Sequence, residues 1–313
     1  MKLKPKIIVI CGSTGVGKTA ISIEIAKKFN GEIVNADSMQ IYKYLDIGTA
    51  KPNPYELSLA PHHLISIIEP DEAFDAGKYS QIAKNVIEEI NLKGKLAIIV
   101  GGTGLYIKAL IHGLFRGDSA NESILEQLKK EAGIYGSEYL HNKLASFDPD
   151  SAKKIHPNDL FRIIRAIEIY ESTGIPISKH QNKHGFSDAQ FDALKIGLNI
   201  ERNLLYEKIN DRVHEMLKSG FLEEVENILK MGYSPDLKPL QSIGYRHLIE
   251  YIYKQKSFEE TIETLKQDTR RYAKRQLTWF RADNEITWTE PSEVDKIENL
   301  INGFLKNTYN IYS

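Results

Sequence analysis

Apolar residues in the first third of the chain alternate between short continuous runs and runs at helical spacing. Residues 7–10 are all apolar and residues 95–100 nearly so, which is typical of strands buried on both faces of a parallel sheet. Residues 77–92 carry apolar side chains three or four positions apart, which predicts a helix. In chain order, predicted strands at 7–10, 31–36, 63–67 and 95–100 alternate with predicted helices at 19–29 and 77–92. This alternation predicts an α/β fold with a parallel sheet and helices on both faces.

The pattern changes in the middle of the chain. Helices are predicted at 121–132, 137–147, 151–154 and 159–173, and no strand is convincing between 116 and 184. A strand at 194–198 then returns to the sheet. The remaining predicted elements are helices at 202–218, 222–231, 244–254 and 258–281, and a strand at 285–288. We therefore predict two domains: a core of residues 1–115 and 194–313, and an all-helical insertion of residues 116–193.

Composition narrows the class of protein without giving a function. Of 313 residues, 42% are hydrophobic and 27% charged, which are ordinary values for a globular protein. No run of 18 apolar residues occurs, so we expect no membrane span, and the apolar run near the N-terminus is the first strand rather than a signal peptide. The single cysteine, Cys11, excludes an intramolecular disulfide and suits a reducing compartment, so we expect a cytoplasmic protein. The net charge of −1 means that any nucleic-acid surface must be local.

Residues 12–19 read GSTGVGKT and match the phosphate-loop pattern G-x-x-x-x-G-K-[ST] between a predicted strand and a predicted helix. Backbone N–H groups and the helix dipole at such a turn attract phosphate oxygens. Lys18 can reach the terminal phosphate, and the Thr19 hydroxyl can bind Mg²⁺. The sequence predicts a P-loop NTPase-like core that binds a di- or triphosphate through Gly12, Ser13, Thr14, Gly15, Val16, Gly17, Lys18 and Thr19.

Two more predicted strands end at the same edge of the sheet, where ligands bind in open α/β folds. Asp37 follows the strand at 31–36, and its carboxylate can hold Mg²⁺ or accept a proton; the alternative is that it caps a following helix. The strand at 95–100 ends in GGTG, without the carboxylate that ATP hydrolases use for Mg²⁺. Thr103 in that segment offers a hydroxyl instead. The pattern argues against a conventional ATP hydrolase and leaves a small-molecule kinase open.

Two basic clusters occur in this nearly neutral chain. Residues 270–281 hold five cations and no carboxylate, and Arg271, Lys274 and Arg275 share one face of the predicted helix. Residues 153–165, in the predicted insertion, form the second cluster. Uncompensated cations indicate phosphate partners, whereas the alternative is a helix face that is simply solvated. Together the clusters are suited to binding a polyanion.

These motifs, in this order, resemble those of the bacterial tRNA isopentenyltransferase family, the tRNA dimethylallyltransferases. The phosphate loop alone would indicate only a superfamily, whereas the whole set is specific and spans most of the chain. The matching segments are GSTGVGKT at 12–19, DSMQIYKYLDIGTAKP at 37–52, HHLI at 62–65, VGGTGLYIKAL at 100–110, KKIHPND at 153–159 with its extension to 165, GYR at 244–246 and TRRYAKRQLTWFR at 269–281.

The resemblance implies transfer of a dimethylallyl group from dimethylallyl diphosphate to N6 of the adenine just 3′ of the anticodon in tRNA, with diphosphate released and no ATP consumed. It implies that the phosphate loop holds the diphosphate, with Mg²⁺ on Thr19. Asp37 would accept the N6 proton, and Thr103 would orient the adenine. Arg212 is a candidate for a further diphosphate contact, with an exposed surface arginine as the alternative.

The resemblance also implies contacts to the tRNA anticodon stem-loop, whose target adenine must leave its stack to reach the donor. The chain departs from the family at Leu125, where an arginine is common. The residues expected to contact tRNA are Asp37, Ser38, Met39, Gln40, Thr103, Phe161, Arg162, Ile163, Ile164, Arg165, Gln241, Ser242, Ile243, Gly244, Tyr245, Arg246, Arg271, Lys274 and Arg275.

We expect a monomer that needs tRNA, dimethylallyl diphosphate and Mg²⁺, with no membrane partner. Two alternatives stay open at this point. One is a small-molecule or nucleotide kinase that uses Asp37 as a base to a hydroxyl. The other is a non-catalytic nucleic-acid-binding module with a nucleotide switch.

Overall fold

The described strands form one parallel sheet, in which their spatial order differs from their order in the sequence. The computed structural model describes residues 4–113, 121–184 and 190–306. The described strands are β1 (Lys6–Gly12), β2 (Gly31–Asn35), β3 (His62–His63), β4 (Leu96–Gly101), β5 (Asp192–Leu198) and β6 (Ile286–Thr289). They lie in the order β3–β2–β4–β1–β5–β6, and every neighbouring pair is parallel. The predicted α/β fold class is confirmed.

Helices connect and cover these strands, and every helix that the sequence predicts is present. Four described helices were not predicted, and they span Pro54–Leu59, Gly104–His112, Ile177–His184 and Val294–Lys306. None of the described helices is long and apolar enough to cross a membrane. In chain order the described helices are α1 (Lys18–Lys28), α2 (Pro54–Leu59), α3 (Ala76–Leu92), α4 (Gly104–His112), α5 (Glu122–Phe147), α6 (Pro149–Lys154), α7 (Leu160–Thr173), α8 (Ile177–His184), α9 (Arg202–Lys218), α10 (Phe221–Lys230), α11 (Tyr245–Ile252), α12 (Phe258–Arg281) and α13 (Val294–Lys306).

The strand predicted at 63–67 is wrong in its extent, because β3 covers only two residues. Leu64 and Ser66 have φ angles of 62° and 53°, in the left-handed region that a strand cannot use. Their backbone groups bond to other parts of the chain. Asn35 Nδ2 donates to the Leu64 carbonyl at 3.0 Å, and the Ser66 N–H donates to the Gln40 carbonyl at 3.0 Å. The segment therefore packs beside the end of β2 as a turn.

The chain divides into two compact units, Met1–Ile111 with Gln190–Ser313, and His112–Ala189. The boundary predicted between residues 115 and 116 lies outside the described residues. The second unit is helical over its described part and packs around Leu128, Leu140 and Ile163. Its longest helix, α5, bends at Gly136, where φ is 82°, which explains why the sequence pattern indicates two helices there.

The ends of β2 and β4 approach each other unusually closely in the first unit. Gly101 ends β4, and a Cβ at this position would lie 2.2 Å from the Ala36 carbonyl oxygen. The Ala36 N–H donates to the Val100 carbonyl at 2.7 Å, and the Thr103 N–H donates to the Ala36 carbonyl at 3.2 Å. The missing side chain of Gly101 thus lets the pairing run to the end of both strands. As a result, Thr103 lies beside the residues that follow β2.

The centre of the sheet is apolar and inaccessible to solvent. Ile8 and Ile10 of β1 are fully buried against Ile98 of β4 and Ile25 of α1. Cys11 near the end of β1 is also buried, and burial raises the pKa of its thiol to about 12. This cysteine therefore packs as a small buried hydrophobic residue.

A buried carboxylate joins three strands near the amino ends of β2 and β4. The Glu32 side chain is 4% exposed; its Oε1 accepts from Lys95 Nζ at 2.8 Å, and its Oε2 lies 2.7 Å from His63 Nε2 and 3.6 Å from Lys93 Nζ. Burial alone would raise the pKa of Glu32, but the hydrogen bonds from Lys95 and His63 and the charge of Lys93 lower it to about 2. The ionised carboxylate therefore stabilises the folded state.

Glu32→Gln should destabilise the protein at pH 7 by about 1–3 kcal/mol, because it removes charge-assisted hydrogen bonds. Since the folded pKa of about 2 lies below the usual 4.5, the wild type should lose this stabilisation as pH falls from about 5 towards 2. In the variant, the free energy of unfolding should fall less steeply as pH falls (a flatter acid limb), as measured by urea unfolding at a series of pH values. Glu24→Gln, at an exposed position of α1, should follow the wild type. Parallel acid limbs for Glu32→Gln and wild type would contradict this role.

Candidate active site

The phosphate loop joins β1 to α1 at the carboxyl edge of the sheet. Gly15 and Gly17 have φ angles of 81° and 100°, which glycine adopts without strain. The Lys18 ammonium turns back over the loop and donates to the carbonyls of Gly12 at 3.1 Å and Ser13 at 2.8 Å. Burial lowers the pKa of Lys18 to about 8, although the Asp37 carboxylate opposes the shift. The loop is thus a preformed cradle with its lysine in place.

A cavity of about 670 Å³ opens over this loop within the first unit. The buried residues Gly12, Ser13 and Val16 support the loop from below. Because residues from across the sequence converge on one space, the predicted donor and acceptor residues are largely brought together. Those that line the cavity are Thr14, Gly15, Gly17, Lys18, Thr19, Asp37, Ser38, Met39, Gln40, Arg212, Gln241, Ser242, Ile243, Gly244, Arg246 and Arg275.

Asp37 and Thr103 lie on neighbouring turns at the carboxyl edge. One Asp37 carboxylate oxygen, Oδ1, accepts from the Met39 N–H at 2.9 Å. The Thr103 Oγ1 accepts from the Ser38 N–H at 3.0 Å and can donate to Ser38 Oγ at 3.2 Å. The alternative in which Asp37 caps a following helix is wrong, because turns follow it and the next helix, α2, begins at Pro54. Both side chains are held at the site by backbone hydrogen bonds.

The cavity sets two cations near one carboxylate. Arg212, on α9, is half-buried, and its Nη1 lies 3.4 Å from Thr14 Oγ1 of the loop. Burial lowers the pKa of the Arg212 guanidinium, and the Asp37 carboxylate opposes that shift. Burial raises the pKa of the Tyr272 phenol, and the negative charge of Asp37 raises it further. Arg212 is therefore not the exposed surface arginine of the alternative interpretation, and the local excess of positive charge suits a bound anion.

The segment 241–246 lines the cavity except for one residue. Tyr245, predicted to contact tRNA, is fully buried, and its hydroxyl donates to Glu224 Oε1 at 2.6 Å. The other oxygen of Glu224 accepts from the Asp46 and Ile47 N–H groups at 3.1 and 2.7 Å. Tyr245 therefore supports the loop at 46–48 from behind, and a direct contact to a macromolecule is excluded in this arrangement.

Helix α12 presents the basic face that its sequence predicts. Lys274 and Arg275 are exposed, and the Arg275 guanidinium lies 5.8 Å from the centre of the Tyr272 ring. Phe280, on the other side, is buried in the core. Arg271 is not uncompensated, because its Nη1 lies 3.3 Å from Asp268 Oδ1, one turn earlier. Asp268 also pairs with Arg246, so two of the predicted tRNA-contact cations share one carboxylate.

Among the residues of the insertion that are predicted to contact tRNA, some are exposed and others are buried. Phe161 is 82% exposed and Arg162 is exposed beside it on α7. Ile163 and Ile164 are buried among the apolar residues of this unit, and so support the surface instead of forming it. Arg165 forms an ion pair with the buried Glu168. Leu125, where the family often has an arginine, packs against the same apolar cluster.

The oxygen donors around the loop fit Mg²⁺ better than a transition metal. The Thr19 hydroxyl and the Asp37 carboxylate line the same cavity. In the described part of the chain, no group of three or more His, Cys, Asp or Glu side chains is placed to hold a metal ion. Mg²⁺ takes few protein ligands and completes its shell with water and phosphate oxygens. Thr19, and Asp37 if needed, are the residues that can hold it together with a bound diphosphate.

Sequence reasoning missed Gln276 and Tyr272, which line the cavity from α12, and Glu224, which supports its wall. Gln276 and Tyr272 are four residues apart, so they share the helix face next to that of the cations. Helical spacing could have found them. A neutral amide and a phenol, however, carry no charge pattern that marks them in a sequence.

The family model described as IPP transferase matches residues 40–283. A tRNA dimethylallyltransferase from Desulfosudis oleivorans is 51% identical over 97% of each chain, and one from a Thermoanaerobacter species is 47% identical over 96% of each.

Solved structures agree with these relatives. The tRNA isopentenylpyrophosphate transferase of Bacillus halodurans has a TM-score of 0.74 and 39% identity, and covers 98% of this chain and 99% of its own. A eukaryotic dimethylallyltransferase described as acting on tRNA has a TM-score of 0.84 and 31% identity, over 97% of this chain and 80% of its own.

The low pKa of Lys18 gives a test of anion binding. As pH rises from 7 to 9, the wild type should lose affinity for inorganic diphosphate by up to about tenfold more than Lys18→Arg, because an ammonium with a pKa of about 8 deprotonates and a guanidinium does not. Calorimetric titration measures the affinity of both proteins for diphosphate. Because the ionisation of diphosphate itself affects both affinities equally, it cancels in the comparison. Lys27→Arg, at the far end of α1, should match the wild type. Equal pH dependence for wild type and Lys18→Arg would show that Lys18 keeps its charge throughout.

Proposed function

The chain belongs to the IPP transferase family, and we propose that it transfers a dimethylallyl group from dimethylallyl diphosphate to N6 of the adenine 3′ of the anticodon in tRNA. Relatives that match nearly the whole chain bear the name of this activity and not that of a kinase. The protein is therefore a prenyltransferase, and the kinase and the non-catalytic switch are set aside. The finer assignments below are proposals.

The observation that carries the proposal is the meeting of two kinds of residue in one cavity. Lys18 and Arg212 provide positive charge at the phosphate loop. Asp37 lies in the same cavity and is close enough to affect the pKa of both. The β4 end supplies Thr103 instead of a carboxylate for ATP hydrolysis. This combination suits a reaction in which diphosphate leaves and a proton is taken up nearby.

The donor half of the reaction is an electrostatic problem. As the allylic C–O bond breaks, negative charge builds on the diphosphate oxygen. The N–H groups of the phosphate loop, Lys18 and Arg212 are fixed in advance to stabilise that charge. When bound, Mg²⁺ neutralises part of it, with Thr19 as the protein ligand.

The acceptor half needs a base and a correctly turned adenine. N6 attacks the allylic carbon, a C–N bond forms, and the N6 proton passes to the Asp37 carboxylate. The Thr103 hydroxyl is held by Ser38, so its direction is fixed before the base arrives. A flipped adenine that bonds to Thr103 therefore places N6 near Asp37.

The remaining tRNA contacts come from exposed residues. Lys274 and Arg275 provide cations on α12, and Phe161 and Arg162 provide an aromatic ring and a cation on the insertion. Single-stranded loops of RNA are bound by such stacking and phosphate contacts. We propose that the protein is cytoplasmic, in line with its buried, unbridged Cys11, and that it works as a monomer.

Incubation with unmodified tRNA and dimethylallyl diphosphate labelled in the allyl group tests the function. We expect label in RNA, in an adenosine that migrates as the N6-dimethylallyl nucleoside after digestion, and one diphosphate released per label. ATP labelled in the γ-phosphate serves as the rival donor. Transfer of that phosphate to a small acceptor, with no label in RNA, would refute the proposal.

Asp37→Asn should lower turnover by about 10²–10⁴-fold, because the amide keeps the acceptor for the Met39 N–H but cannot take a proton. Affinity for inorganic diphosphate, measured by calorimetry, should change little. Asp71→Asn, at an exposed position that does not line the cavity, is the matched control and should turn over as wild type. Wild-type turnover in Asp37→Asn would rule out the general-base role.

Lys274→Ala or Arg275→Ala should weaken RNA binding and reduce the slope of log affinity against log salt by about 1 each, since one phosphate contact is lost. Filter binding of an anticodon stem-loop at stepped salt concentrations measures this slope. Lys27→Ala is the control, because α1 runs back to the amino edge of the sheet, away from the cavity. An unchanged slope would support the alternative, in which the cations of α12 form a solvated helix face without a phosphate partner.

A further inference from the structure

Gln276 bridges the phosphate loop and the turn after β4. It projects from α12 and is buried, with 6% of its surface exposed. Its Oε1 accepts from the Thr14 N–H at 2.8 Å, and its Nε2 donates to the Gly102 carbonyl at 2.9 Å. Both polar ends of one amide are thus used, one on each side of the cavity floor.

The surroundings are shaped for this side chain. A Cβ on Gly102 would lie 2.3 Å from Gln276 Nε2, so a side chain at this position would displace the amide. Ala273, one turn earlier on α12, is fully buried and lets the helix approach the sheet. The amide also lies at the end of β4, where ATP hydrolases place a carboxylate. A neutral group there satisfies the loop N–H without setting a negative charge beside bound diphosphate.

Each partner of Gln276 leads to a different half of the reaction. Thr14 belongs to the loop proposed to hold the diphosphate, and Arg212 reaches its hydroxyl. Gly102 immediately precedes Thr103, which is bonded to Ser38 beside Asp37. The exposed face of the same helix carries Lys274 and Arg275, the proposed tRNA contacts.

We propose that Gln276 is a positioning residue, which fixes the phosphate loop relative to the Thr103 turn so that the allylic carbon and the adenine nitrogen meet at reacting distance. This proposal rests on the proposed function. Misplacement by a fraction of an ångström lowers the rate of the chemical step and leaves binding of each substrate nearly intact, since neither ligand loses a direct contact.

The test is a double-mutant cycle of Gln276→Ala and Gly102→Ala. Each single variant should lower the single-turnover rate of label transfer to tRNA by about 10- to 100-fold, because the first removes the bridge and the second displaces it. Dissociation constants for inorganic diphosphate and for the anticodon stem-loop should stay within about threefold of wild type. In the double variant, Gly102→Ala should add no further loss, because the clashing amide is gone. Gln267→Ala, at an exposed glutamine of the same helix, is the matched control and should react as wild type.

Several outcomes would overturn the inference. A rate within twofold of wild type for Gln276→Ala would do so, as would additive losses in the double variant. A loss fully explained by weaker diphosphate binding would make Gln276 a donor-binding residue instead. If Gln276→Ala does not fold, Gly102→Ala alone decides, with diphosphate binding as its proof of folding. If the wild type itself transfers no label, the proposed function fails and this inference falls with it, whereas transfer by wild type and variants alike refutes only the inference.

Discussion

The close approach of β2 and β4 at their carboxyl ends is the constraint on which the rest of the site depends. Parallel pairing directs all strand ends to one edge, but only the missing side chain of Gly101 lets Ala36 and Thr103 bond across that edge. Once they do, the turns that carry Asp37 and Thr103 have fixed positions. The phosphate loop, at the end of the neighbouring β1, lines one cavity together with Asp37 and Gly101.

Charge within that cavity is distributed unevenly, and the distribution follows from the order of the elements. Lys18 comes from the loop and Arg212 from α9, almost two hundred residues later, and both respond to the one carboxylate of Asp37. Partial burial strengthens these interactions compared with a surface site. A bound anion and the Asp37 carboxylate can therefore share the same cavity. The neutral Gln276 amide joins the phosphate loop to the turn after β4 without adding charge of its own.

The sequence predicted the parts of this arrangement that depend on local spacing. The phosphate loop, the α/β alternation and the exposed face of α12 are all encoded within a few turns of chain. What it could not predict depends on distant partners. Leu64 and Ser66 end β3 early because their backbone groups bond elsewhere, Tyr245 is buried because Glu224 holds its hydroxyl, and Arg246 of α11 pairs with Asp268 of α12. Gln276 carries no charge that marks it in the sequence, and its role arises only where three separate elements meet.

Cys11 lies one residue before the phosphate loop, next to the chemistry. Thiols are attacked by peroxides and alkylating agents as thiolates. Burial raises the pKa of the Cys11 thiol to about 12, so the thiol stays protonated near pH 7. The buried thiol of Cys11 is therefore unreactive towards such reagents. Reagents that modify exposed thiols should therefore leave Cys11, one residue before the phosphate loop, unmodified.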